Sequence, residues 1–319
     1  MQKYIYIILL SVLAIACGSG TKESVEGKKI LTVTIEPQRY FLDQIVGDAF
    51  TINTLVPPGS SPESYEPAPS VMVDMAKSDI YFMVGDLGFE NAWSKRLAEN
   101  NPNVEIVNCS EGIDRMEGHD HDHGDCADPD HHHDHGDSHH HDHAHLGDAH
   151  THLHAHSGID PHVWSSPRAV VAFARNMLNG LVELDPGNEE KFLDGFEVLL
   201  EKIKQTDNQI RDILKDSPSK SFIIYHPALS YFARDYGLHQ LSIEFEGKSP
   251  SPAQLKELVD VARKEKIHTI FIEQGFDTKN AEVIAKEIGA EVFEINPLSY
   301  EWDEELLRIA TILAREVKE

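Results

Sequence analysis

GNEEKFLDGFEVLLEKIKQTDNQIRDILK, residues 187–215, repeats apolar side chains at helical spacing from Phe192 to Leu214. With Pro186 at its start, the stretch predicts a single helix from 186 to about 215. That is well beyond the roughly 11–12 residues of an average globular helix. Such a helix reads as a backbone joining two lobes rather than as one member of a layer. On both sides of it, β-branched runs alternate with helical stretches, the pattern of a parallel sheet covered by helices on both faces.

Upstream, KKILTVTI (28–35), FTINTLV (50–56), DIYFMVG (79–85) and VEIVNC (104–109) read as four buried strands. Between them lie a helix carrying Leu42, Ile45 and Val46 that closes near Gly47, a short helix from Ser70, and a helix around 90–99. Downstream, SFIIYH (221–226), HQLSIEFEG (239–247), TIFIEQG (269–275) and EVFEINP (291–297) read as four more strands. Helices near 229–236, 252–264, 278–288 and 303–317 separate and follow them. The expected fold is therefore α/β: two lobes, each a roughly four-stranded parallel sheet with flanking helices, joined by one long rigid helix. The expected boundaries are 28–185 for the first lobe, 186–216 for the linking helix and 217–319 for the second lobe. The 319 residues, 40% of them hydrophobic, are enough for two such cores.

The chain begins MQKYIYIILLSVLAIAC, with one early lysine, an apolar run from Tyr4 to Ala16, and small residues leading into Cys17. The run is short for a membrane span and has the layout of a secretory signal. Ala14-Ile15-Ala16-Cys17 resembles a bacterial lipobox, with Ala14 where leucine is usual. Residues 1–17 are thus expected to be a lipoprotein signal segment and 18–27 a flexible tether, with lipidation at Cys17. The mature protein is expected to be anchored outside the cytoplasm, in the periplasm or at the cell surface. Cys109 and Cys126 remain after processing. A disulfide between them, or Cys126 as a metal ligand, are both open readings.

Between 119 and 156 the chain holds 16 of its 20 histidines with nine aspartates and no lysine, arginine or glutamate. The histidines are His119, His121, His123, His131, His132, His133, His135, His139, His140, His141, His143, His145, His150, His152, His154 and His156. The segment, loop 117–157 of the first lobe, offers no apolar face to offset the entropy of ordering it and is expected to be disordered. Imidazole suits zinc, copper and nickel, so the tract reads as an accessory metal collector with many interchangeable sites. The formal net charge of −26 argues against nucleic acid and is compatible with cations as ligands.

Ligands of open parallel sheets sit outside the carboxyl ends of the strands. That rule selects Glu63 and Glu66 in PPGSSPESYEP, His162 in Asp160-Pro161-His162, His226 in Tyr225-His226-Pro227, and Glu273 and Asn296 at later strand ends. His239 and His268 lack such settings and read as structural or exposed. Tyr65, Trp164 and Tyr225 read as packing around a cleft.

VPPGSSPESYEPAPS, DPHVWSSP, YHPAL, IFIEQGF and INPL, in that order and on strand ends, are similar to the metal-binding solute-binding proteins of zinc and manganese ABC importers. The resemblance spans nearly everything after the signal segment. It implies two α/β lobes around a long helix with the metal in the cleft between them. His162 and His226 stand where that family places two metal-binding histidines. Glu63 stands where its PPG..PH.YEP motif usually has a third, and glutamate is also a sound zinc ligand. Where manganese-type members place an aspartate late in the chain, this one has Asn296. Glu273 and Asn296 are expected as outer partners or a fourth ligand.

The implied function is a high-affinity extracytoplasmic zinc receptor that delivers Zn(II) to an ABC permease in the inner membrane. It would be a monomer, and zinc its only cofactor. No catalytic residue is expected. The alternatives are a manganese or nickel receptor of the same family, a stand-alone metal buffer, and, more remotely, a zinc hydrolase, for which no motif such as HExxH is present.

Overall fold

A computed structural model describes residues 27–118, 158–245, 248–276 and 278–315. The signal segment with Cys17, all but the last residue of the tether, Cys126 and the sixteen tract histidines lie outside the described residues.

The first lobe runs β1 (Ile30–Val33), α1 (Glu36–Val46), β2 (Thr51–Thr54), α2 (Pro69–Met75), β3 (Ile80–Met83), α3 (Gly88–Asn100) and β4 (Glu105–Asn108). Its strands are all parallel in the order β2-β1-β3-β4. After α4 (Pro167–Leu184), α5 (Glu189–Leu214) leads to the second lobe. That lobe runs β5 (Ser221–Ile224), α6 (Ser230–Tyr236), β6 (His239–Ser242), α7 (Pro252–Glu265), β7 (Thr269–Glu273), α8 (Lys279–Ile288), β8 (Glu291–Ile295) and α9 (Trp302–Leu313). Its order, β6-β5-β7-β8, repeats that of the first lobe.

The long helix forms as its periodicity requires. Phe192, Phe196, Leu199, Ile203, Thr206, Ile210 and Leu214 are buried at steps of three or four. Each large apolar side chain in that stripe contributes about 1.5–3 kcal/mol on burial. The stripe packs against α1, α4 and α9. The α-helix starts at Glu189, not at Pro186, because Pro186–Asn188 form a separate 3-10 turn. The last helix also ties back to the first lobe. Trp302 meets Phe41 edge-on at 5.2 Å and donates from Nε1 to the carbonyl of Trp164 at 2.7 Å.

Two elements are shorter than the sequence predicts. β6 stops at Ser242, although Ile243 and Glu244 still donate to the carbonyls of Ile224 and Tyr225, because Phe245 then pairs antiparallel with Lys248 and turns the chain. α9 stops at Leu313, and residues 316–319 lie outside the described set. Cys109 is a free, buried thiol that accepts from Gln38 Nε2 at 3.6 Å.

In each sheet the chain steps outward from the first strand and then returns to its other side. Loops leaving adjacent central strands diverge there and open a crevice. Segments following β2, β5, β7 and β8 converge on one cavity of about 50 Å³ between the lobes.

Candidate metal centre

Three of the expected site residues meet in that cavity. One side-chain donor from each of Glu63, His162 and His226 lies within 4.8 Å of the other two. The distance between His162 Nε2 and His226 Nε2 is 3.2 Å, and Glu63 Oε1 is 4.0 Å from His162 Nε2. Nitrogens bound at about 2.0–2.1 Å to a tetrahedral zinc stand roughly 3.3 Å apart. The two imidazoles are therefore already spaced for one ion.

His226 follows β5 at the turn into α6, and its backbone N–H donates to the Glu273 carboxylate at 3.1 and 3.3 Å. Its ring lies parallel to Phe276 with centroids 5.8 Å apart, and Nδ1 is 2.7 Å from Glu244 Oε2. His162 precedes a 3-10 turn, Val163–Ser165, and places both its backbone N–H and its Nδ1 on Asp160 Oδ1 at 2.8 Å. A carboxylate only accepts, so each Nδ1 carries the proton and each Nε2 is left as the donor toward a metal. Trp164 packs at 5.1 Å from the His162 ring and donates from Nε1 to the carbonyl of Pro297 at 2.9 Å, linking the first lobe to the end of β8.

Glu63 is held from the start of α3. The Gly88 N–H donates to Oε2 at 3.2 Å, and the Phe89 N–H donates to the carbonyl of Pro62 at 3.2 Å. Glycine is required at 88, because a Cβ there would lie 2.5 Å from the Glu63 carbonyl oxygen. Glu63 Oε1 has no hydrogen-bond partner although it is buried, a condition it shares only with Thr54 Oγ1 among the described side chains. Leaving a buried acceptor unmade is costly, and a cation between it and the two imidazoles would complete it.

Burial alone would lower the His162 imidazole, but Asp160, and behind it Glu63 and Glu244, carry it above its ordinary range. Burial would raise Asp160, but the His162 ring and backbone N–H hold it below the carboxylate norm. Burial pushes the Glu273 carboxyl well above its ordinary value, assisted by the charge of Glu244 and opposed by the His226 N–H.

Glu273 and Asn296 line the cavity but are turned to the protein: Glu273 to His226, and Asn296 Oδ1 to the Leu298 N–H at 3.2 Å. Glu66 is exposed. Tyr65 packs on Phe89 at 5.5 Å and Tyr225 on Phe276 at 5.2 Å. His239 pairs with Glu265 at 2.8 Å on the surface. The sequence gives Glu244 and Phe276 no role and names Asp160 only as part of the Asp160-Pro161-His162 motif. Asp160 was detectable, since it stands two residues before His162 in the same motif. Glu244 was not, since it reaches His226 across a sheet.

Residues 31–311 match the family described as zinc-uptake complex component A, periplasmic. The chain belongs to this family. It is 32% identical to the high-affinity zinc uptake system protein ZnuA of Bacillus subtilis (strain 168) over 294 residues, 90% of this chain and 85% of that protein. The manganese-binding lipoprotein MntA of Halalkalibacterium halodurans is 25% identical over 90% of this chain and 85% of its own length. A crystal structure of ZnuA superimposes with a TM-score of 0.76 at 32% identity, covering 90% of this chain and 98% of that one. A zinc-bound ZnuA deletion mutant gives 0.75 at the same identity, over 90% of this chain and 97% of its own. Two parallel four-stranded sheets about a long helix are thus the fold of this family.

Proposed function

We propose that the protein is an extracytoplasmic zinc receptor that binds one Zn(II) through Glu63 Oε1, His162 Nε2 and His226 Nε2 and passes it to an ABC permease. The observation that carries this reading is the pair of Nε2 atoms 3.2 Å apart, each imidazole anchored through Nδ1 on a carboxylate, facing a buried and unpartnered Glu63 oxygen. Two imidazoles and one carboxylate suit zinc better than manganese, which prefers an oxygen-rich shell. A water, or Glu273 after rotation, completes a fourth position. A cavity of about 50 Å³ suits an ion with a little water better than a peptide or ester. That favours a receptor over a zinc hydrolase.

The histidine tract, residues 119–156, acts as an accessory collector in this reading, and Cys17 carries the lipid that keeps a monomeric receptor beside its permease. A manganese receptor is the second reading, favoured by the likeness to MntA. Calorimetric titration of the purified protein with zinc, and with manganese in competition, tests the proposal. Tight one-to-one zinc binding that survives excess manganese supports it. Manganese displacing zinc supports the alternative, and retention of tight binding after alanine replacement of all three ligands overturns the site.

A further inference from the structure

The two histidines come from opposite sides of the inter-lobe cleft, yet they are held in register by groups other than the metal. α6 begins four residues after His226, and its first two side chains reach Asp160, the carboxylate on which His162 rests. Tyr231 is fully buried; its hydroxyl donates to the Asp160 carbonyl at 2.8 Å and accepts from the Met116 N–H at 3.0 Å. The Asp160 N–H returns to the Met116 carbonyl at 2.9 Å, so one hydroxyl fastens both strands of the neck that leads into and out of the 117–157 loop. The Ser230 hydroxyl, also buried, donates to the Pro227 carbonyl at 3.1 Å and accepts from Gln240 Nε2 at 2.9 Å, and it lies beside the Asp160 side chain, whose charged form it favours. Arg234 of the same helix lies over the Tyr231 ring at 5.0 Å and closes it from solvent.

Among the described residues, the Glu63 carboxylate has no such tie to the second lobe; its one hydrogen bond is from the Gly88 N–H of its own lobe. Glu63 Oε1 is 4.0 Å from His162 Nε2, beyond the tetrahedral spacing that the histidines already satisfy. We propose that Tyr231 and Ser230 are positioning residues for the metal centre: by holding Asp160 from the second lobe they fix His162 against His226 before an ion arrives, and Glu63 alone closes on it. This rests on the receptor reading above.

Cobalt(II) is a suitable probe because its visible d–d absorption reports ligand geometry. Intact protein, Tyr231→Phe, Ser230→Ala and Tyr236→Phe are compared for Co(II) and Zn(II) affinity by chelator competition and for the d–d spectrum, with folding followed by circular dichroism. Tyr236 belongs to the same helix, is half-buried and donates to Asp207 at 2.8 Å, away from the site, so it controls for simple loss of a hydrogen-bonded tyrosine hydroxyl. The expected result is a loss of a few-fold to about 10-fold in affinity for Tyr231→Phe, at or below the low end of the range for removing the direct outer partner of a metal-bound histidine, because the phenol acts through the Asp160 main chain. An altered d–d spectrum should accompany it, with a loss in the same direction for Ser230→Ala and no change for Tyr236→Phe. Unchanged affinity and spectrum in Tyr231→Phe, or an equal loss in Tyr236→Phe, overturns the inference. Should Tyr231→Phe fail to fold, Ser230→Ala decides by the same criteria. Intact protein that binds neither ion overturns the receptor reading and this inference with it.

Discussion

In the first lobe the carboxyl ends of β1 and β3 close over a buried carboxylate, Glu90, which accepts from the Val84 and Gly85 N–H groups at 2.7 Å and from the Thr34 hydroxyl. In the second lobe the equivalent ends of β5 and β7 meet at His226, whose ring faces the cavity, and at Glu273, which lines it while accepting from the His226 N–H. Strand order and direction are the same in both. The difference lies in whether the polar groups at the crevice satisfy one another or are left for a ligand. The first lobe is sealed at its centre and, among the described residues, reaches the site through the loop after β2, held by Gly88, and through the segment after the histidine tract. The same topology thus gives one lobe an anchoring role and the other an open donor at its centre.

The sharpest way to break this contrast is to remove a histidine. His162→Ala and His226→Ala should each cost more than the roughly 10–100-fold in zinc affinity expected for an outer partner. Chelator competition would measure the loss, and a variant within tenfold of the intact protein would contradict the assignment.

The sealed crevice makes its own prediction. Burial pushes the Glu90 carboxyl up to about 7 from 4.5, against the opposing bonds from Thr34, Gly85 and Val84. A group whose folded pKa is raised contributes stability that is fully present below its unfolded pKa and lost as pH rises through the folded one. Between about pH 4.5 and 7 the metal-free protein should therefore lose about 3 kcal/mol of unfolding free energy on account of this residue. In Glu90→Gln, which does not titrate, a fall of that size should disappear from the pH series of urea unfolding curves. An unchanged slope would count against the sealed-carboxylate account.

The outer carboxylates compare the lobes more finely. The Asp160–His162 side chains are 5% and 6% exposed, and the Glu244–His226 side chains 13% each. Both Asp160→Asn and Glu244→Gln should weaken zinc by about 10–100-fold. Asp160→Asn should lose more, because its pair is the less screened by solvent. Equal or reversed losses in the same competition assay would show that the lobes hold their histidines alike. The smallest effect is expected from deleting 119–156. The association rate by stopped flow should fall while the equilibrium affinity of the single tight site stays within a few-fold; collapse of that affinity would move the site into the tract.

Much of this was readable in the chain because it depends on local pattern. The β-branched runs, the apolar stripe from Phe192 to Leu214 and the motifs that carry Glu63, His162 and His226 are all set by neighbours in sequence. The unreadable part is long-range. Glu244 meets His226 only because β6 pairs with β5, and Tyr231 meets Asp160 only because α6 crosses to the other lobe. The early stop of β6 is of the same kind, set by the Phe245–Lys248 pairing rather than by the propensity of IEF. The orphaned oxygen of Glu63 is a property of the packed site and has no signature in the sequence.

The most direct test of the central claim is an anomalous difference map at the zinc edge from crystals grown with one equivalent of zinc. A single strong peak is expected in the cleft about 2.0–2.2 Å from His162 Nε2, His226 Nε2 and Glu63 Oε1, with Asp160 and Glu244 still on the two Nδ1 atoms. A peak bound by the histidines without Glu63, or one lying away from all three, would contradict it.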